Sequence, residues 1–147
     1  MDSQQKTALV VGAGPAGLMA AEMLADAGVL VTISEAKPSP ARKFLMAGKS
    51  GLNITKNEPL DRLVAAYGDA PEMFRDSIHE FGPEQVMAWT NALGQEMFTG
   101  STKRVFPKSM KASPLLRAWL ARLKTKGIVL RTKTRWVGWA DDGLVFE

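Results

Sequence analysis

Gly12, Gly14, Gly17 and Glu35 are the residues whose types and spacing point most directly to chemistry. The glycines form G-x-G-x-x-G directly after the apolar run Ala8–Val11 and at the start of a small-residue stretch. In that setting the first glycine permits a tight turn, and the second lets main chain approach a pyrophosphate with no Cβ in the way. The third allows close helix-to-strand packing. The N–H groups of the turn, which also contains Ala13, Pro15 and Ala16, would face phosphate oxygens together with the positive end of the following helix. Glu35 stands 18 positions after Gly17, at the predicted end of a second strand, with Ala36 and Lys37 next to it. A carboxylate there accepts from both hydroxyls of an adenosine ribose and repels a 2′-phosphate, which disfavours NADP at this place. Together these residues read as a pocket for the ADP half of a dinucleotide, FAD or NAD.

The elements that must position them follow from periodicity. Ala8–Val11 reads as a strand, and Ala16–Ala27 as a helix with Leu18, Ala21, Met23, Leu24 and Ala27 near helical spacing and Gly28 as its stop. Val29–Ser34 is a second strand, so residues 7–36 make a right-handed βαβ unit. Lys37–Pro59, rich in Pro, Gly, Ser, Lys and Asn, reads as a functional loop without elements. Leu60–Tyr67, Pro71–Phe81 and Pro83–Leu93 look like short helices within a helical segment 60–98, with Pro71 and Pro83 in first turns and Gly82 and Gly94 as stops. Pro114–Lys126 is an amphipathic helix with Leu115, Leu116, Trp119, Leu120 and Leu123 on one face, Ser113 as cap and Gly127 as terminator. Ile128–Arg131 is then a strand, and "RWVGWADDGLVFE" a hairpin around Asp142-Gly143.

Composition narrows the classes. At 147 residues, with 46% apolar and 23% charged residues, the chain reads as a single soluble globular domain. It has no cysteine, which excludes disulfides, thiolate metal sites and dithiol relays and is compatible with the cytoplasm. The uncharged run Thr7–Ala21 is 15 residues long, short of a membrane span. Its glycines sit in the dinucleotide register rather than in a signal-peptide pattern. The net charge of +4 hides an asymmetry, because Lys103–Arg135 holds 11 basic residues and no acid. His79 is the sole histidine and reads as structural or solvated. No metal-ligand spacing and no catalytic acid or base stands out.

Four stretches, "VVGAGPAGLMAAEML" with Glu35, "ARKFLMAGKSGLNITK", "GSTKRVFPKSMKASPLLRAWLARL" and "TRWVGW", together resemble the BaiN-like flavoproteins. These are NAD(P)/FAD-dependent oxidoreductases related to aminoacetone oxidase and built on a glutathione-reductase-type FAD domain, and the likeness spans essentially the whole chain. The resemblance implies an α/β Rossmann-like fold, with FAD as cofactor and NAD(P)H as a possible electron donor. It places Gly12, Gly14, Gly17 and Glu35 on the ADP moiety. The loop bearing Arg42, Lys43, Gly48, Lys49, Ser50, Gly51 and Asn53 would lie along the ribityl-pyrophosphate and flavin edge. The loop's own chemistry agrees, since Gly, Ser, Asn and cations offer main-chain and polar donors to phosphate and ring. Many relatives carry Gly-Arg-Cys-Asn where this chain reads Ser50-Gly51-Leu52-Asn53, so the family's Arg and Cys are absent. Arg104, Val105, Phe106, Pro107, Lys111 and Ala112 match a second family segment, expected beside the flavin, in which Lys103 stands where relatives often have Gly.

The expectation is therefore the N-terminal, FAD-binding part of a two-domain flavin oxidoreductase acting on a small molecule, with Trp136 and Trp139 placed to cover a ligand. The hairpin at the end suggests a truncated chain with an exposed sheet edge open to association. Three rivals remain: a non-catalytic nucleotide-binding module, an NAD-dependent dehydrogenase fragment, and nucleic-acid binding through the stripe 103–135. The cations of Pro114–Lys126 also read as the solvent face of their helix.

Overall fold

The structure, a computed structural model, describes residues 5–70 and 72–147. The first apolar run forms β1 (Thr7–Val11), the small-residue stretch forms α1 (Pro15–Asp26), and β2 (Leu30–Glu35) returns parallel to β1 with Thr7 opposite Leu30 and Val11 opposite Ser34. Pro15 opens α1, where its missing N–H costs no hydrogen bond, and Gly28 leaves the helix at φ +79. A third parallel strand, β6 (Val129–Thr132), pairs with β2, giving the order β1-β2-β6. β1 and β6 are the edges of this sheet, and on β1 Leu9 and Val11 remain exposed.

The chain divides into two compact units, the first running up to Met46 and resuming at Trp119–Glu147, the second spanning Ala47–Ala118. In the first, Leu18 and Ala21 of α1 pack with Val31 and Ile33 of β2 and with Trp119, Leu123 and Ile128 in an apolar core. Glu22 lies among them, only 5% exposed. A buried carboxylate needs partners. Trp119 Nε1 donates to its Oε2 at 2.7 Å, Arg122 Nε lies 2.8 Å from its Oε1, and Lys126 Nζ is 3.6 Å away and also pairs with Asp26. Arg122 and Lys126 thus turn inward to α1, a correction to their reading as solvent-face cations. The first unit ends in β7 (Trp136–Ala140) and β8 (Gly143–Phe146), an antiparallel pair whose two-residue connection is Asp141-Asp142. Gly143 begins the return strand, which shifts the expected turn by one residue.

The second unit is built on an antiparallel sheet of β3 (Thr55–Lys56), β5 (Arg104–Pro107) and β4 (Met97–Thr99), in the order β3-β5-β4. With it stand α3 (Leu60–Ala65), α4 (Glu72–Glu80) and α5 (Pro83–Ala92). Leu52, Leu93, Val105 and Leu115 are buried there. Pro71 lies outside the described residues, so its expected first-turn role is not assigned. Gly82 is the N-cap of α5, its N–H bonded to Gln85, rather than only a stop for the helix before it.

Two elements cross the boundary in sequence. α2 (Arg42–Ala47) occupies part of the stretch 37–59 that the sequence read as pure loop, and β3 occupies another part. The six residues of α2 contain no Gly or Pro, but the punctuating residues on both sides hide them. α6 (Ala112–Thr125) begins two residues before Pro114, so Ser113 lies inside the helix and is not its cap. A proline in the first turn replaces an N–H that has no intrahelical acceptor, and the helix can start ahead of it.

Candidate functional site

The glycine turn joins β1 to α1 at the carboxyl ends of the parallel strands. Gly12 adopts φ +98, a conformation that side chains disfavour, and its N–H donates to Ser34 O at 2.7 Å. A Cβ on Gly17 would stand 2.0 Å from the Gly12 carbonyl oxygen and 3.3 Å from Val10 Cγ1, so α1 starts in contact with the strand only because residue 17 has no side chain. Gly14 differs from both, since a Cβ there would meet nothing within 4 Å. The space it leaves belongs to a cavity of about 360 Å³ whose lining includes Gly14, Pro15, Glu35 and Lys37, then Ser39, Ala41, Arg42 and Lys43.

Glu35 closes this cavity from the end of β2. Its Oε2 accepts from the Ala13 N–H at 2.9 Å and its Oε1 from the Lys37 N–H at 2.7 Å. An ionised carboxylate offers about four acceptor directions, so two remain beyond these main-chain bonds. Ala13 is fully buried and its carbonyl accepts from Ala41 N–H at 2.8 Å. Ala41 takes φ +52, and this left-handed residue folds the segment after β2 back over the turn. Ser39 and Ala41 line the cavity and were missed by sequence reasoning, and no local signal marks a left-handed alanine after Pro40. Arg42 and Lys43, at the start of α2, bring two cations to the same wall.

The lead-in to the hairpin also meets this end of the sheet. Lys133 N–H donates to Lys37 O at 3.2 Å and Thr134 N–H to Glu35 O at 3.0 Å. Trp136 follows two residues later and is 38% exposed. A bulge between Trp136 and Gly138 inserts one extra residue, so Trp136 and Trp139 share a face with ring centroids 6.0 Å apart, edge to face. Ala16 is exposed in the first turn of α1 and Ala36 directly follows Glu35.

The remaining predicted residues belong to the second unit. Gly48 is buried against Ala112, whose Cβ would lie 2.6 Å from a Cβ at residue 48. Lys49 and Ser50 are exposed, and Gly51 adopts φ +123 with Met110 Cε 2.7 Å from where its Cβ would be. At the position that many relatives fill with Arg, the left-handed backbone of φ +123 disfavours a side chain, whereas Met110 Cε is the movable end of a flexible one. Leu52 N–H donates to Met110 O at 3.1 Å and Ile54 N–H to Val105 O at 2.9 Å, so the Arg104–Ala112 segment holds the Gly48–Asn53 loop. Within that segment Arg104–Pro107 is the central strand of its sheet. His79 lies on the exposed side of α4 with Arg75, Asp76 and Glu72.

A parallel sheet with a glycine turn after its first strand and an acid at the end of its second defines an α/β Rossmann-type dinucleotide-binding fold. The chain belongs to the family described as HI0933-like protein Rossmann domain, whose model matches residues 6–146. Among solved structures, 3-ketosteroid-Δ4-(5α)-dehydrogenase from Rhodococcus jostii RHA1 superposes with a TM-score of 0.67 at 15% identity, covering 100% of this chain and 43% of that one. THI4 of Thermovibrio ammonificans gives 0.54 at 16% identity, covering 97% and 45%. CtdE, solved in complex with FAD, gives 0.51 at 16% identity, covering 98% and 35%. The chain spans less than half the length of each of these proteins. No functionally curated protein matches it in sequence.

Proposed function

We propose that the chain is the FAD-binding part of a flavin-dependent oxidoreductase that acts on a small molecule, with NAD(P)H as its electron donor. The observation that carries this reading is Glu35, a carboxylate held by two main-chain donors beside the glycine turn with acceptor capacity to spare for ribose hydroxyls. The residues fit the cofactor. Gly12, Ala13, Gly14, Pro15, Ala16 and Gly17 form the turn toward the pyrophosphate, and Glu35, Ala36 and Lys37 flank the ribose. Arg42 and Lys43 supply positive charge at the same cavity. The resemblance assigns Gly48, Lys49, Ser50, Gly51 and Asn53 to the ribityl-flavin part, and Trp136 is placed to cover a ligand. When bound, the isoalloxazine supplies the hydride and electron chemistry, and the protein supplies binding, orientation and electrostatics.

Family membership supports the flavin assignment, and the FAD complex of CtdE belongs to the same fold. Among the described residues no helix is long and apolar enough to cross a membrane, and the cysteine-free composition suits the cytoplasm. Two cations of the basic stripe, Arg122 and Lys126, are engaged with Glu22, which weakens the nucleic-acid alternative. The exposed β1 edge is the place for association with further polypeptide.

The test is to add FAD to the purified chain, remove free ligand by gel filtration and record the visible spectrum of the protein peak. Flavin absorbance is expected to co-elute, and Glu35→Ala to weaken FAD binding at least tenfold. A folded, colourless wild-type chain that retains NADH would transfer the site to a nicotinamide dinucleotide.

A further inference from the structure

The second unit contains a cavity of about 350 Å³ that shares only Asn53 with the residues assigned to the cofactor. One wall is the strand segment Asn53–Lys56, and the others come from Leu63, Tyr67, Ile78, Phe81 and Val86. Its volume lies at the lower end of small-molecule sites, about 300–1,000 Å³, which suits one or two fused rings. Tyr67 and Phe81 are 49% and 42% exposed, more than residues of a closed core. Two contacts hold the walls. Tyr67 packs edge to face on Phe74 at 4.8 Å, and the Gly82 N–H is capped by Gln85 at the buried start of α5.

Charge decides the ligand class. The cavity's single ammonium, Lys56, is paired with Glu58 at 2.8 Å, so no cation there is left to attract an anion. The charged residues of α4, Glu72, Arg75, Asp76 and His79, line a different depression. What remains is a mixed wall of apolar and aromatic side chains and neutral polar groups, the Asn53 amide and Thr55 hydroxyl along the Asn53–Lys56 side and the phenol of Tyr67. We propose that this cavity binds a small neutral molecule with one or two rings, its hydroxyl or carbonyl group directed to the Asn53–Lys56 side. Calling that molecule the enzyme's substrate rests on the flavoenzyme reading, whereas the cavity and its ligand class do not.

The test uses the full chain and the neutral two-ring fluorescent probe 6-propionyl-2-dimethylaminonaphthalene, with the anionic two-ring 5-dimethylaminonaphthalene-1-sulfonate as contrast. Saturable binding of the neutral probe is expected, at least tenfold tighter than the sulfonate. Val86→Trp fills the cavity and is expected to weaken the neutral probe at least tenfold while FAD retention stays unchanged. Thr55→Val keeps the side-chain shape and tests that side without threatening the fold. In competition, 1-naphthol is expected to displace the probe at least threefold better than naphthalene in the wild type, and equally well in Thr55→Val. Tighter binding of the sulfonate, or probe binding that neither variant changes, would overturn the proposal. Probe binding by a chain that retains no FAD would support the cavity and sink the flavin reading instead.

Discussion

The glycine turn and the Gly48–Asn53 loop are both glycine-bearing segments, yet they are built in opposite ways. The turn is local, with its partners Ser34, Glu35 and Ala41 lying within about thirty residues and its shape following from Gly12 and Gly17. The loop takes its shape from a segment more than fifty residues away, through Leu52 to Met110 and Ile54 to Val105. A site written in neighbouring residues is set by their types, while a site supported from afar depends on the packing of its support.

The largest effect is expected where the local design has no slack. Gly17→Val places a branched side chain on a carbonyl that a single Cβ would already approach to 2.0 Å. It should destabilise the chain by about 3 kcal/mol, near the top of the usual overpacking range, and abolish FAD retention. A thermal melt and the gel-filtration spectrum check this, and a variant with wild-type melting would break the claim that contact sets the turn. Next comes Glu22→Ala, which leaves Trp119 without this acceptor and removes the carboxylate facing Arg122 and Lys126. Both cations keep about a quarter of their side-chain surface exposed, so the loss is smaller than for a fully buried pair, about 2 kcal/mol. Chemical denaturation followed by Trp fluorescence measures it. An unchanged midpoint would mean that α1 and α6 are held by their apolar contacts alone.

The same contrast explains what the sequence made legible. The βαβ unit, the glycine turn and Glu35 were readable because each rests on a short periodicity or on a residue type the backbone demands. β3 was not, because two residues make a strand only by pairing Thr55 with Val105 and Lys56 with Arg104. The role of Glu22 was not readable, since nothing near it in sequence reveals that Trp119 and Arg122 lie opposite. Ala41 carried no signal either, because alanine is a poor indicator of left-handed backbone. Cations 11 residues strong in one stripe looked like a surface feature until two of them proved to face a buried acid.

The smallest expected effect sharpens the comparison from the loop's side, and its sign is favourable. Lys103 adopts φ +63 in the tight turn between β4 and β5, where its N–H donates to Gly100 O at 2.9 Å and its carbonyl accepts from Asn57 N–H at 2.8 Å. The backbone there has the geometry that glycine tolerates best, and the resemblance places Gly at this position in many relatives. A left-handed non-glycine residue costs about 1–2 kcal/mol, part of which glycine returns through its freer unfolded chain. Lys103→Gly should therefore stabilise the chain by about 0.5–1 kcal/mol and raise its melting temperature. Lys103→Ala is the control, because it removes the charge but keeps the Cβ in the same conformation, and it should not stabilise. If the alanine variant gains as much as the glycine one, the benefit comes from relieving the basic stripe, and the turn conformation at residue 103 carries no strain.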